Sequence, residues 1–142
     1  MKNWFKILAG ILLLFNGFGA IYGGLNLIAY PSGSSLQLSP ELLEPSPFKN
    51  YLVPGIILFI SNGLFSLFAC VALISALKKY PLYILIQGYI VSGWVVVQVI
   101  MLHVIGYLQI LSGVAGILLI LCGWVLLYPA SNHAAKSSIK LA

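Results

Sequence analysis

Residues 82–103 read LYILIQGYIVSGWVVVQVIMLH, a run without one formally charged side chain, and Lys78 and Lys79 stand just ahead of it. A helix crossing about 30 Å of hydrocarbon at about 1.5 Å per residue needs about 20 mainly apolar residues. The run meets that requirement, and it is too long for a strand. Three further stretches of the same kind flank it, at about residues 4–30, 51–77 and 107–128. The expected fold is therefore all-α: a single four-helix transmembrane bundle over residues 1–142, left-handed and up-down-up-down, with residues 31–50 as a structured outer loop.

Composition agrees with lipid as the main solvent. Of 142 residues, 61% are apolar and only 6% charged, and mean hydropathy is +1.08. A soluble domain carries roughly a quarter charged residues. The net charge of +5 comes from lysines outside or at the ends of the apolar runs, with Glu41 and Glu44 as the acids. Such scattered charge gives no basic patch for nucleic acid, so no nucleic-acid partner is expected.

The lysines also set the orientation, because short loops rich in Lys and Arg stay cytoplasmic. Lys2, Lys6, Lys78, Lys79, Lys136 and Lys140 fall on one side of the four-span model, and Lys49 on the other with both glutamates. The expectation is N-in and C-in. Trp4, Tyr30, Tyr51, Tyr80, Tyr83, Tyr107 and Tyr128 lie near the expected interfaces, where amphipathic rings are favoured. Cleavage of a signal peptide after Ala20 is disfavoured, because Phe18 occupies a position that should be small and the apolar run continues to Ala29.

The long connection at residues 31–50 has more chemistry than a tether. Residues 31–35 have turn composition, and Ser39-Pro40-Glu41 reads as an N-cap, a first helical position and an acid at the positive end of a helical turn. Ser46-Pro47 repeats that start signal. Leu36, Leu38, Leu42, Leu43 and Phe48 form an apolar underside for docking on the bundle, and Pro31, Pro40, Pro45 and Pro47 reduce the entropy lost on ordering. Pro54-Gly55 predicts a kink, or a short interfacial segment, at the outer end of the second span.

The string Pro31-Ser-Gly-Ser-Ser-Leu, with Leu42-Leu43, Ser46-Pro47-Phe48-Lys49, Tyr51-Leu52, Pro54-Gly55, Trp94 and Gln98, resembles a family of small uncharacterised bacterial four-span integral membrane proteins. The likeness extends over most of the chain, and the loop string is its most specific part. It implies a bacterial inner-membrane location and a shared fold. It supplies no activity and no catalytic residues.

Polar side chains within the spans should face other helices. Asn16, Gly19, Gly23 and Asn26 form one stripe of the first span, with Gly19-xxx-Gly23 as the expected place of close approach. Gly55, Phe59, Asn62, Ser66 and Ala69 do so on the second; Gln87, Val91, Trp94, Gln98 and Met101 on the third; Gln109, Ser112, Gly116 and Gly123 on the fourth. Interhelical hydrogen bonding is the simplest use of each. Asn26, Gln98, His103 and Gln109 lie toward the outer side, with Trp94 nearer the midplane. Those five are the candidate ligand-binding residues, lining a polar seam beneath the loop.

The side chains that are missing narrow the chemistry. No span contains Asp or Glu, which disfavours proton-coupled drug export. Only His103 borders a span, with His133 in the tail, so paired axial ligands for haem are not expected. Cys70 and Cys122 lie singly in separate apolar runs, which suits small core residues better than a redox pair or a zinc site. No catalytic residue, cofactor or metal is therefore expected. The leading functional expectation is a non-enzymatic structural or partner-binding bundle whose partners are the lipid bilayer, a second copy or another membrane protein. The alternative is a binder or carrier of a small neutral or lipid-like molecule at the outer seam. A weaker one is a membrane enzyme, or an accessory subunit, using His103.

Overall fold

A computed structural model describes residues 2–44, 46–103 and 105–141, with side-chain surroundings as far as residue 128. Pro45 and the side chains of His133, Lys136 and Lys140 lie outside the described residues. No strand occurs among the described residues. Among the described residues, four helices are long and apolar enough to cross a membrane: α1 (Lys2–Ala29), α2 (Leu52–Ile74), α3 (Tyr80–Leu102) and the stretch Tyr107–Tyr128 of α4 (Tyr107–Leu141).

Turn chemistry sets where these helices stop. Ala76 adopts a left-handed φ of 54°, and the chain closes on α2 through Ala76 N–H to Leu73 O at 3.2 Å and Leu77 N–H to Ala72 O at 3.0 Å. This double closure ends α2 at Ile74 rather than at Leu77, and it does so without the usual glycine. At the other end of α3, His103 takes a φ of 52° and its N–H reaches Val99 O at 3.0 Å, so His103 is a cap rather than the last residue of the span.

Helix α2 is irregular just beyond Pro54-Gly55. Pro54 sits in the opening α-helical turn, Leu52–Ile57, where its missing N–H is no loss. The irregularity follows immediately, as a π-helical stretch over Leu58–Leu64, before regular α-helix resumes at Phe65–Ile74. Phe65 N–H bonds to Ile60 O, five residues back, as the wider winding requires.

Two helix pairs approach closely, and glycine permits both. Between α1 and α2, a Cβ built on Gly24 would stand 2.7 Å from Phe59 Cβ and 2.9 Å from its Cα and N. One on Gly55 would stand 2.7 Å from Leu27 Cβ. Between α3 and α4, a Cβ on Gly88 would lie 2.7 Å from Ile120 N, and one on Gly123 would lie 2.7 Å from Leu85 Cα. Backbone at such distances cannot swing aside as a flexible side chain does, so only glycine fits.

The expected contact at Gly19 is not made. A Cβ there meets nothing within 4 Å, and Gly23 would meet only Leu58 Cδ2, at 3.4 Å. The buried stripe of α1 runs instead through Ala9, Leu13, Gly17, Ala20, Gly24 and Leu27. Small residues there let α1 settle onto α2, while α1 also packs on α4 and α3 on α2.

Two apolar clusters hold the helices together. The larger includes Ala9, Leu13, Ala69, Cys70, Ile84, Val91, Leu119 and Cys122, so every spanning helix contributes. Burying such side chains is worth about 25 cal/mol per Å² of apolar surface taken from water; between helices already in lipid, close packing supplies the attraction. The smaller cluster joins Leu43 and Tyr51 to Leu27 of α1, with Leu36, Leu38, Leu58, Met101 and Leu102 packed around it.

Residues 31–50 contain two short 3₁₀ turns, Ser34–Leu36 and Pro40–Leu43. Ser39 caps the second, its hydroxyl accepting from Glu41 N–H at 3.3 Å. Tyr51 is buried and donates its phenol to Ser39 O at 2.8 Å; burial pushes that phenol's pKa up, which keeps it a donor. Ser46 begins no helix. Its hydroxyl donates to Leu43 O at 2.7 Å and accepts from Phe48 N–H at 3.2 Å, folding the chain back locally.

Candidate functional site: polar side chains of the spans

Helix geometry sorts the polar side chains by what they bond. Asn16, midway along α1, donates through Nδ2 to Asn62 O at 3.1 Å and Ser66 Oγ at 2.7 Å on α2. Asn62 and Ser66 are both buried, and Asn62 lies in the π-helical stretch. Asn62 Nδ2 turns to Ser61 Oγ at 3.2 Å, and Ser61 in turn donates to Ile57 O at 2.6 Å. A continuous polar seam thus lies between α1 and α2, at the place where winding is irregular.

Of the five residues expected to bind a ligand, Asn26 and Gln109 have local side-chain partners and His103 stands at a helix end. Asn26 Nδ2 donates to Tyr22 O at 2.7 Å, one turn back along α1. Side-chain amides compete with interhelical partners in this way, because the local acceptor is always within reach. Gln109 Oε1 accepts from Gly106 N–H at 2.9 Å, capping the start of α4. His103 is exposed and caps α3 through its backbone. His103 and Gln109 thus flank the α3–α4 connection, while the Asn26 amide is bonded within α1.

The other two sit deeper. Gln98 is half-buried, one turn before Met101 and Leu102, which pack against the Leu27, Leu43 and Tyr51 cluster. Trp94 is half-buried, and its Nε1 is enclosed with no hydrogen-bond partner. Gln87, read from sequence only as part of the α3 seam, is completely enclosed, and neither Nε2 nor Oε1 has a partner. Ser92 Oγ is likewise enclosed and unpartnered; it lies where α3 meets Gly116 of α4. Among the described residues, enclosed side-chain polar groups without partners are thus concentrated on α3, whereas the α1–α2 seam is bonded.

Cys70 and Cys122 are free, buried and members of the same core cluster. Among the described residues no group of three or more His, Cys, Asp or Glu is arranged to hold a metal ion. At the lysine-bearing end of the bundle, Lys6 Nζ lies 5.5 Å from the centre of the Tyr80 ring, a cation–π contact between the starts of α1 and α3.

These features define a class: an all-helical, multi-pass membrane protein with one bonded and one unbonded polar face inside. Comparison with protein-family models, with curated proteins and with solved structures finds no match to this chain.

Proposed function

We propose that this is a non-enzymatic integral membrane bundle of the bacterial inner membrane that docks laterally on another membrane protein or on a second copy of itself. It spans N-in and C-in, up-down-up-down with left-handed crossings, and residues 31–50 fold over its outer end. The lysine distribution supports the orientation, and the Leu43–Tyr51–Leu27 cluster supports the lid.

The observation that carries lateral docking is the outward face of α3. Tyr89 is 54% exposed, and one turn later a Cβ on Gly93 would meet nothing within 4 Å. Tyr89 lies about 13 Å along the helix from Tyr80, at a rise of about 1.5 Å per residue, so its hydroxyl faces hydrocarbon rather than water. A helix drawn close over Gly93 covers the ring and brings an acceptor to the hydroxyl. Single-molecule photobleaching in nanodiscs, together with co-purification, tests the reading. Gly93→Leu and Tyr89→Phe should each shift the protein toward single, partnerless copies; unchanged association in both would remove lateral docking through this face.

A second reading, binding of a small neutral or lipid-like molecule beneath the loop, is favoured by the enclosed, unpartnered Trp94 Nε1 and by Gln98 beside the loop-packed end of α3. The weaker enzymatic reading rests on His103, whose position at the end of α3 is already accounted for by capping.

A further inference from the structure

The two polar faces inside the bundle differ in a way that packing alone does not account for. On the α1–α2 side, Asn16 reaches two acceptors at 2.7 and 3.1 Å. On α3, the Gln87 amide is 0% exposed and leaves both of its polar atoms unmatched, and Trp94 Nε1 is unmatched seven residues later. Seven residues are close to two helical turns, so Gln87 and Trp94 share a face, with buried Val91 between them. An unpaired amide in a dry interior is heavily disfavoured, and the penalty disappears only when something supplies its partners.

We infer that this face of α3 is a binding site for one neutral, lipid-soluble molecule whose head pairs an ester carbonyl with a hydroxyl, as in a monoacylglycerol. The class follows from the unmet valences. Gln87 Nε2 offers two protons and Trp94 Nε1 one, and these require acceptors, while Gln87 Oε1 requires a donor. A carbonyl oxygen and a hydroxyl, each with two lone pairs, together accept all three protons, and the hydroxyl supplies the donor. The axial separation of the two residues, about 10 Å, is bridged by two long side chains and a head of glycerol-ester size. Charge is excluded by depth, since both residues lie within a span that has no ionised side chain to offset a buried charge.

All three polar atoms are closed off in the structure, so the molecule binds when α3 parts from its neighbour. Helix α3 packs on the π-helical stretch of α2, where the regular hydrogen-bond ladder is interrupted. Such stretches concentrate at functional sites, and a ligand that binds only the parted arrangement draws the population toward it. The site shares Trp94 with the second reading but extends about two turns deeper, to Gln87, and it does not depend on lateral docking.

Native mass spectrometry of the full chain released from detergent, titrated with 1-monooleoylglycerol, tests this directly. The wild type should retain one saturable adduct, and methyl oleate, which keeps the ester but lacks the hydroxyls, should bind at least tenfold more weakly. Gln87→Leu and the conservative Trp94→Phe should each lose at least tenfold in apparent affinity, while Val96→Ala on the exposed face should match the wild type. Copy number in nanodiscs should be unaltered by Gln87→Leu, which separates this result from failure of lateral docking. Absence of a saturable adduct in the wild type overturns the inference, as does equal retention by the wild type, Gln87→Leu and Trp94→Phe. A higher thermal midpoint for Gln87→Leu in the presence of saturating monooleoylglycerol also overturns it, since an occupied amide is not relieved by removal.

Discussion

Gly24→Leu should be the most damaging single substitution in the spans, lowering stability by about 3 kcal/mol or more, at the upper end of the usual overpacking range. The first atom of the new side chain would already stand 2.7 Å from Phe59 Cβ and 2.9 Å from Phe59 Cα and N. Backbone there cannot yield without separating α1 from α2, and separation breaks the neighbouring contacts of Gly55 with Leu27 as well. Gly19→Leu, five residues earlier on the same helix, is the matched control, because its Cβ projects into open space. Thermal unfolding in detergent should show a large drop for Gly24→Leu and a midpoint near the parent's for Gly19→Leu. Equal losses in the two would mean that α1 is rotated from the face described.

Asn16→Leu should have the next largest effect, about 1–2 kcal/mol, through hydrogen bonding rather than volume. The substitution keeps a side chain of similar size and removes the donor that serves Asn62 O and Ser66 Oγ. Both acceptors belong to buried residues, where a replacement from water is not at hand. Ser66→Ala removes only one partner and should cost less. A double-mutant cycle between Asn16→Leu and Ser66→Ala should return a coupling of about 0.6–1.7 kcal/mol, the range found for interhelical hydrogen bonds in a bilayer. Simple additivity would show that the 2.7 Å contact carries no energy.

The spans were legible because charge is the costliest thing to place in hydrocarbon, and its absence over residues 82–103 leaves a helix as the reading. Phase around each helix was harder to read. On α2 and α3 the small and polar residues do mark buried positions, as Gly55, Asn62, Ser66, Gln87 and Val91 show. On α1 they mislead: the helix is apolar all round, and it carries Gly17 and Gly24 as well as Gly19 and Gly23, so nothing in the spacing chooses between the two pairs. Contact with Phe59 and Leu67 makes that choice, and contact is a property of the fold.

The polar site was legible in membership more than in bonding. Asn26 and Gln109 carry the right groups for a vestibule, yet they bond a carbonyl one turn back and a helix-start N–H. The interhelical hydrogen bonding at Asn16 falls where α2 widens into its π-helical stretch. No residue type announces that widening, whose centre at Ser61 lies six residues beyond Gly55. Gln87 had the correct face and an unreadable state, because whether an amide finds a partner is decided by the positions of atoms on three helices.

The central claim is that the four helices thread the bilayer with the loop between α1 and α2 on the far side from the α2–α3 turn. Cysteines placed singly at Ser34 and Ser75, both exposed, in a background with Cys70 and Cys122 replaced by alanine, test it with a membrane-impermeant thiol reagent on intact cells. The expected result is labelling at Ser34 from outside, with Ser75 labelled only after the membrane is opened. Labelling of both positions in intact cells, or protection of both until lysis, would contradict the four-span arrangement.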